Sequence, residues 1–270
     1  MRKFIRRNPL AAYFLLTFFV SWSGALLVAA PYLVRSSPVP KLAGLMMFPA
    51  MLVGPSLSGI VLSALDGGLR DLFGRMRRAS FGPWYLALFL PPGLVLAVLF
   101  LLQTLISPDF TPNAFLIGAA FGLPAGFFEE IGWTGYAFPR LRSVLGPLRA
   151  SIILGLVWSA WHIPVIDYLG TATPHGSFWL RFLLAFGAAM TAMRVIIGWV
   201  YVHTESVLIA QLLHAISTGS LVILSPPGAA AGQEAFWYAI YAAALWLVVG
   251  AIVRFDPSLS FPQPHLASRK

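Results

Sequence analysis

The chain has 270 residues, of which 59% are hydrophobic and only 10% charged, with a mean hydropathy of +0.81. A soluble domain carries about 25% charged residues, so this composition excludes a soluble enzyme, a nucleic-acid-binding module and a disordered tail protein. The formal net charge of +9 sits at the edges of apolar runs, which points to topology and anionic lipid and not to a nucleic-acid partner.

In chain order, eight apolar spans are predicted: Pro9–Val34, Leu42–Leu65, Pro83–Ile106, Asn113–Glu130, Ala150–Leu169, Phe178–Val202, Ser206–Leu224 and Ala235–Val253. Each approaches the twenty or so residues that a helix needs to cross about 30 Å of hydrocarbon. The longest runs are twice the ten-residue strands of a transmembrane barrel, which excludes that class. The expected fold is all-α, a bundle of about eight transmembrane helices in a single integral-membrane domain (1–270). The first span follows Arg2, Lys3, Arg6 and Arg7 but exceeds a signal peptide's apolar region, so it reads as an uncleaved helix.

The loops alternate in charge. Arg70, Arg75, Arg77 and Arg78 follow span 2; Arg140, Arg142 and Arg149 follow span 4; Arg254, Arg269 and Lys270 follow span 8. The opposite loops hold only Arg35, Lys41 and Arg181, while Arg194 lies inside span 6, close enough to its end to snorkel or to meet a site carboxylate. Both termini are therefore expected in the cytoplasm. Arginine outnumbers lysine 15 to 3, which suggests a bacterial cytoplasmic membrane.

Ionisable residues inside a span mark function. Glu129 and Glu130 are adjacent, so about 100° of helix rotation separates them and they cannot both face one target. His162 lies inside span 5, one turn after Trp158, and Pro164 should loosen the helix just beyond it. In span 7, Gln211, His214 and Thr218 form a polar stripe. Gly122 and Gly126 form a G-x-x-x-G pair suited to close helix packing. His175 reads as part of a solvated turn, Asp167 as hydrated, His203 and Glu205 as a cap or salt bridge, and His265 as a tail residue. With no cysteine in the chain, thiolate catalysis and cysteine-held metal are excluded. A carboxylate pair with two intramembrane histidines suits activation of water against a carbonyl. Glu129, His162 and His214 are also a zinc-type ligand set, although the helical H-E-x-x-H spacing is absent. A proton-coupled transporter would use the same residue types, but no inverted repeat is visible.

The motif-bearing core, about 113–224, resembles the CPBP family of intramembrane proteases, which includes the type II CAAX prenyl endopeptidases and the bacterial immunity-protein branch called Abi. Its E-E-x-x-x-R motif is matched by Glu129-Glu130 through Thr134, with threonine in place of arginine. Its F-x-x-x-H motif is matched by Trp158 to His162, and its H-x-x-x-N motif by His214 to Thr218. The resemblance implies an intramembrane endopeptidase acting on a membrane-associated peptide or protein. It implies that Glu129 and His162 activate water, that His214 and Thr218 stabilise the oxyanion, and that Glu130 supports the site. With Thr134 at that position, the orienting ion pair is either lost or comes from Arg140, Arg142 or Arg194. A catalytically silent immunity or scaffold protein is the reading that these two threonines would favour. A water-filled cavity reached from the cytoplasmic half is expected.

Overall fold

The computed structural model describes residues 5, 7–79 and 82–259. Of the residues singled out above, Arg2, Lys3, Arg6, His265, Arg269 and Lys270 lie outside these. Among the described residues the chain is helical, with no strand. The helices are α1 (Pro9–Val34), α2 (Lys41–Leu65), the short α3 (Leu69–Met76), α4 (Leu90–Leu105), α5 (Ala119–Gly132), α6 (Phe138–Leu145), α7 (Pro147–Trp161), α8 (Trp179–Thr204), α9 (Val207–Leu224) and α10 (Ala231–Phe255). A 3-10 stretch, Pro83–Phe89, leads into α4.

Among the described residues, six helical segments are long and apolar enough to cross a membrane: Pro9–Val34, Lys41–Leu65, Pro83–Leu105, Gly176–Thr204, Val207–Leu224 and Ala231–Phe255. Their outer faces expose Leu15, Phe19, Leu27, Phe100, Leu105 and Leu247. A belt of that kind is stable against lipid and not against water. The protein is an integral membrane protein, and the two remaining predicted spans fall on the shorter central helices α5 and α7.

Those two central elements differ most from expectation. The fourth span was expected to end at Glu130. Instead α5 begins later, at Ala119, because Asn113 and Phe115 donate their amides to the carbonyls of Leu224 and Ile223 at the end of α9. It then runs on through a π-helical turn, Trp133–Ala137, into α6. The π turn accommodates Pro139, which has no amide to offer the carbonyl four residues back. That carbonyl, on Gly135, accepts Arg75 Nη2 at 2.9 Å. The helical run from Ala119 to Leu145 spans about 40 Å at helical rise, so the two glutamates sit near its middle. The fifth span stops early. α7 ends at Trp161, His162 caps it, and residues 162–165 form turns around Pro164.

The bundle has two distinct ends. At one, Arg142 pairs with Glu205 at 2.6 Å, Arg140 with Asp66 at 3.1 Å, and Arg75 donates to the Tyr201 hydroxyl at 2.7 Å. At the other, Lys41 Nζ donates to the Thr171 carbonyl and Gln233 donates to Asp109. There the Gln233 amide and the Ser107 hydroxyl hold the Asp109 carboxyl below its usual range.

α5 packs closely along α9. A Cβ on Gly122 would lie 2.3 Å from the Ala215 carbonyl oxygen, and one on Gly126 would lie 2.3 Å from that of Gln211. The G-x-x-x-G pair thus brings two backbones of one chain together, and Gln211 Nε2 adds a bond to the Phe127 carbonyl at 2.8 Å. Gly126→Ala is expected to destabilise the protein by about 1–3 kcal/mol, the usual cost of overpacking. Thermal unfolding in detergent checks this.

Candidate active site

α5, α7, α8 and α9 bring the sequence-predicted residues together. Glu129 and Glu130 are both fully buried, and His162 and His214 are 5% and 1% exposed. Adjacent helical positions diverge, so the two carboxylates have separate surroundings. Glu129 Oε2 accepts the indole N–H of Trp158 at 2.7 Å and that of Trp133 at 3.2 Å. Its Oε1 is buried without a hydrogen-bond partner in the protein. Buried polar atoms are normally paired, so this oxygen is the one available to a water or a substrate.

Glu130 is saturated. Arg194 reaches it with both terminal nitrogens, Nη2 to Oε1 at 2.5 Å and Nη1 to Oε2 at 3.0 Å. The Thr134 hydroxyl donates to Oε2 and His214 Nδ1 to Oε1, the latter at 2.7 Å. Arg194 Nη1 also contacts Thr134 Oγ1 at 3.3 Å. The arginine that the E-E-x-x-x-R pattern would place at 134 is therefore supplied from α8. A guanidinium gives a planar two-point match to a carboxylate wherever its stem is rooted, and Thr134 fits the space beside it. Arg194 is 1% exposed, so it does not snorkel to the surface.

The imidazoles are oriented in one way. His162 Nδ1 lies 2.9 Å from the Trp158 carbonyl, which can only accept, so the proton is on Nδ1 and Nε2 carries the lone pair. Its ring stacks against Phe48 and meets Trp161 and Phe186 edge-on. His214 Nδ1 faces Glu130 in the same sense, and its ring lies 4.9 Å from that of Trp158.

Glu129, His162, His214 and Thr218 all line one cavity of about 240 Å³. Apolar side chains such as Phe48, Phe121, Phe186, Met190 and Leu221 supply most of its walls. Its outer part is formed by Lys41, Asn113, Gly170, Thr171 and Ser225. These belong to the end of the bundle opposite the arginine-rich loops. The cavity is thus reached from the end of the bundle that lacks the arginine-rich loops. Among the described residues, no three His, Asp or Glu side chains are grouped to hold a metal ion. Glu129, His162 and His214 share the cavity without forming such a set, so they do not fit zinc as they stand.

Other polar residues have structural partners. Arg142 pairs with Glu205, and His203 pairs with Asp256 at 3.2 Å while stacking on Trp84. His175 is not in a solvated turn. It is 1% exposed, stacked on Phe182, with Nδ1 3.3 Å from Asp167 and Nε2 3.2 Å from the fully buried Glu234. Glu234 also accepts the amides of Thr171 and Ala172, which fixes the loop beside the cavity. The sequence signal for this cluster was an acid beginning an apolar helix, a position easily read as a helix cap.

Fold and site together define a polytopic helical membrane protein with a paired carboxylate and two histidines buried around one cavity. Residues 110–219, which contain every residue of that constellation, match the family model described as Type II CAAX prenyl endopeptidase Rce1-like. The resemblance carried by the three motifs is thus shown for this segment. Over 158 residues the chain is 32% identical to CAAX prenyl protease 2 of Methanococcus maripaludis, covering 57% of this chain and 54% of that relative. The chain spans about half the length of the curated relative it matches.

Proposed function

We propose that the protein is an intramembrane endopeptidase that hydrolyses a peptide bond in a membrane-associated peptide or protein. The observation that carries this reading is the buried, unpartnered Oε1 of Glu129 on the wall of a cavity that also holds His162, His214 and Thr218. Glu129 is the general base. It takes a proton from water as the water oxygen attacks the substrate carbonyl, and later returns that proton to the leaving amine. The free Nε2 of His162 is a second acceptor for the same water. His214, its Nδ1 held by Glu130, and the Thr218 hydroxyl one turn further along α9 stabilise the developing oxyanion. Glu130 is a positioning residue, holding His214 and Arg194. The apolar walls suit an apolar peptide segment. Arginine-rich loops and the arginine bias support a bacterial cytoplasmic membrane with both termini inside.

The test is cleavage of a peptide library by purified protein in detergent, with no gradient present. Turnover that survives a chelator is expected. Stoichiometric zinc, with activity lost on its removal and restored on its return, would replace the mechanism with a metal-based one. Proton or solute flux in liposomes that is lost in Glu129→Gln, with no peptide cleaved, would make the protein a transporter. Thr218→Val should lower turnover roughly 10- to 1,000-fold, the scale of one oxyanion donor. Substrate binding should change little, because that charge exists only in the transition state.

A further inference from the structure

We propose that the cavity opens on the extracytoplasmic face, so that the peptide substrate enters from outside the cytoplasm. Two independent observations meet here. The first is where the opening lies. Its outer wall is made by the start of α2 at Lys41, the 113–115 segment, the 170–171 loop and Ser225 at the end of α9. These segments are tied to one another at one end of the bundle: Lys41 to Thr171, Thr171 to Glu234, and Asn113 to Leu224. Among the described residues, none from the other end lines the cavity.

The second observation is charge. Among the described residues, Arg7, Arg70, Arg77, Arg78, Arg149 and Arg254 belong to the other end, as do the paired Arg75, Arg140 and Arg142. Among the described residues, the cavity end has only Arg35, Lys41 and Arg181, matched by Asp109, Asp167 and Glu234. Lysine and arginine in short loops are retained on the cytoplasmic side, and acids contribute little to that bias. The arginine-rich end is therefore inside and the cavity faces out. Among the described residues, Lys41 is the only lysine or arginine lining the opening.

The orientation stands on geometry and charge alone; the entry of a peptide rests on the proteolytic reading above. The chain has no cysteine, so single cysteines report cleanly. Thr111→Cys and Gly228→Cys mark the cavity end, Ala79→Cys and Ser143→Cys the other. All four positions are exposed and outside the site. With the full chain in intact bacterial cells, a membrane-impermeant maleimide should label the first pair directly and the second pair only after permeabilisation. The reverse pattern overturns the proposal. Sealed right-side-out vesicles should cleave a quenched-fluorescent peptide, chosen from those cleaved in detergent, when it is added outside. Cleavage that needs permeabilisation also overturns the proposal. The expected labelling with no cleavage even in detergent would retire the proteolytic reading and leave the orientation standing.

Discussion

Glu129→Gln is expected to abolish detectable cleavage, a fall of at least the 100- to 10,000-fold that a positioned general base typically contributes, while the protein stays folded. The reasoning is local. The amide keeps the carboxylate's shape, and its carbonyl oxygen can still accept the indole protons of Trp158 and Trp133. What it loses is the oxygen without a partner, which is the one able to take a proton. Glu130→Gln should behave in the opposite sense. It removes the countercharge of Arg194 in a site where neither side chain reaches solvent, so unfolding temperature should fall while measurable turnover remains. Peptide turnover and thermal unfolding, measured side by side, separate the two. Full activity in Glu129→Gln would end the assignment of the base.

Arg194→Thr is expected to be among the most damaging single changes. It strands a fully buried carboxylate, and breaking a buried pair by removing one partner costs about 3–5 kcal/mol. Adding Thr134→Arg to it should recover most of the loss. The double variant keeps the same two side chains and returns the arginine to the position four residues after Glu130, where a helix places it on the same face. Thr134→Arg alone should destabilise, since it puts a second buried guanidinium beside the first. Recovery in the double variant relative to both singles is read by thermal unfolding and turnover. An additive double loss would show that Arg194 does more than compensate for Thr134.

Much of this was legible in the residues. Apolar runs of helical length marked eight spans, and polar groups inside apolar runs marked Glu129, Glu130, His162 and His214, because such groups are costly in lipid. Depth was not legible. A straight reading put Glu129 near a surface, because the sequence shows where apolar character fades but not that a π turn carries the helix onward past Trp133. Pairing across helices was equally hidden. Arg194 was one of three arginines able to reach Glu130, and only the packing of α8 against α7 and α9, which aims its side chain at Glu130, selects it. His175 was misplaced for the same reason, its partners Asp167 and Glu234 being brought to it by the fold of the 166–176 loop against α10.

Trp158 makes two bonds into the site from one residue. Its indole N–H holds Glu129, and its carbonyl holds His162. The relative placement of base and imidazole is therefore set mainly by the covalent frame of a single tryptophan and less by how two helices slide past each other. Bilayers differ in thickness and lateral pressure, and helices answer by tilting. A unit keyed to one residue tilts as a whole. The chemical step should accordingly be nearly the same in short-chain and long-chain lipids, with lipid sensitivity confined to how substrate reaches the opening.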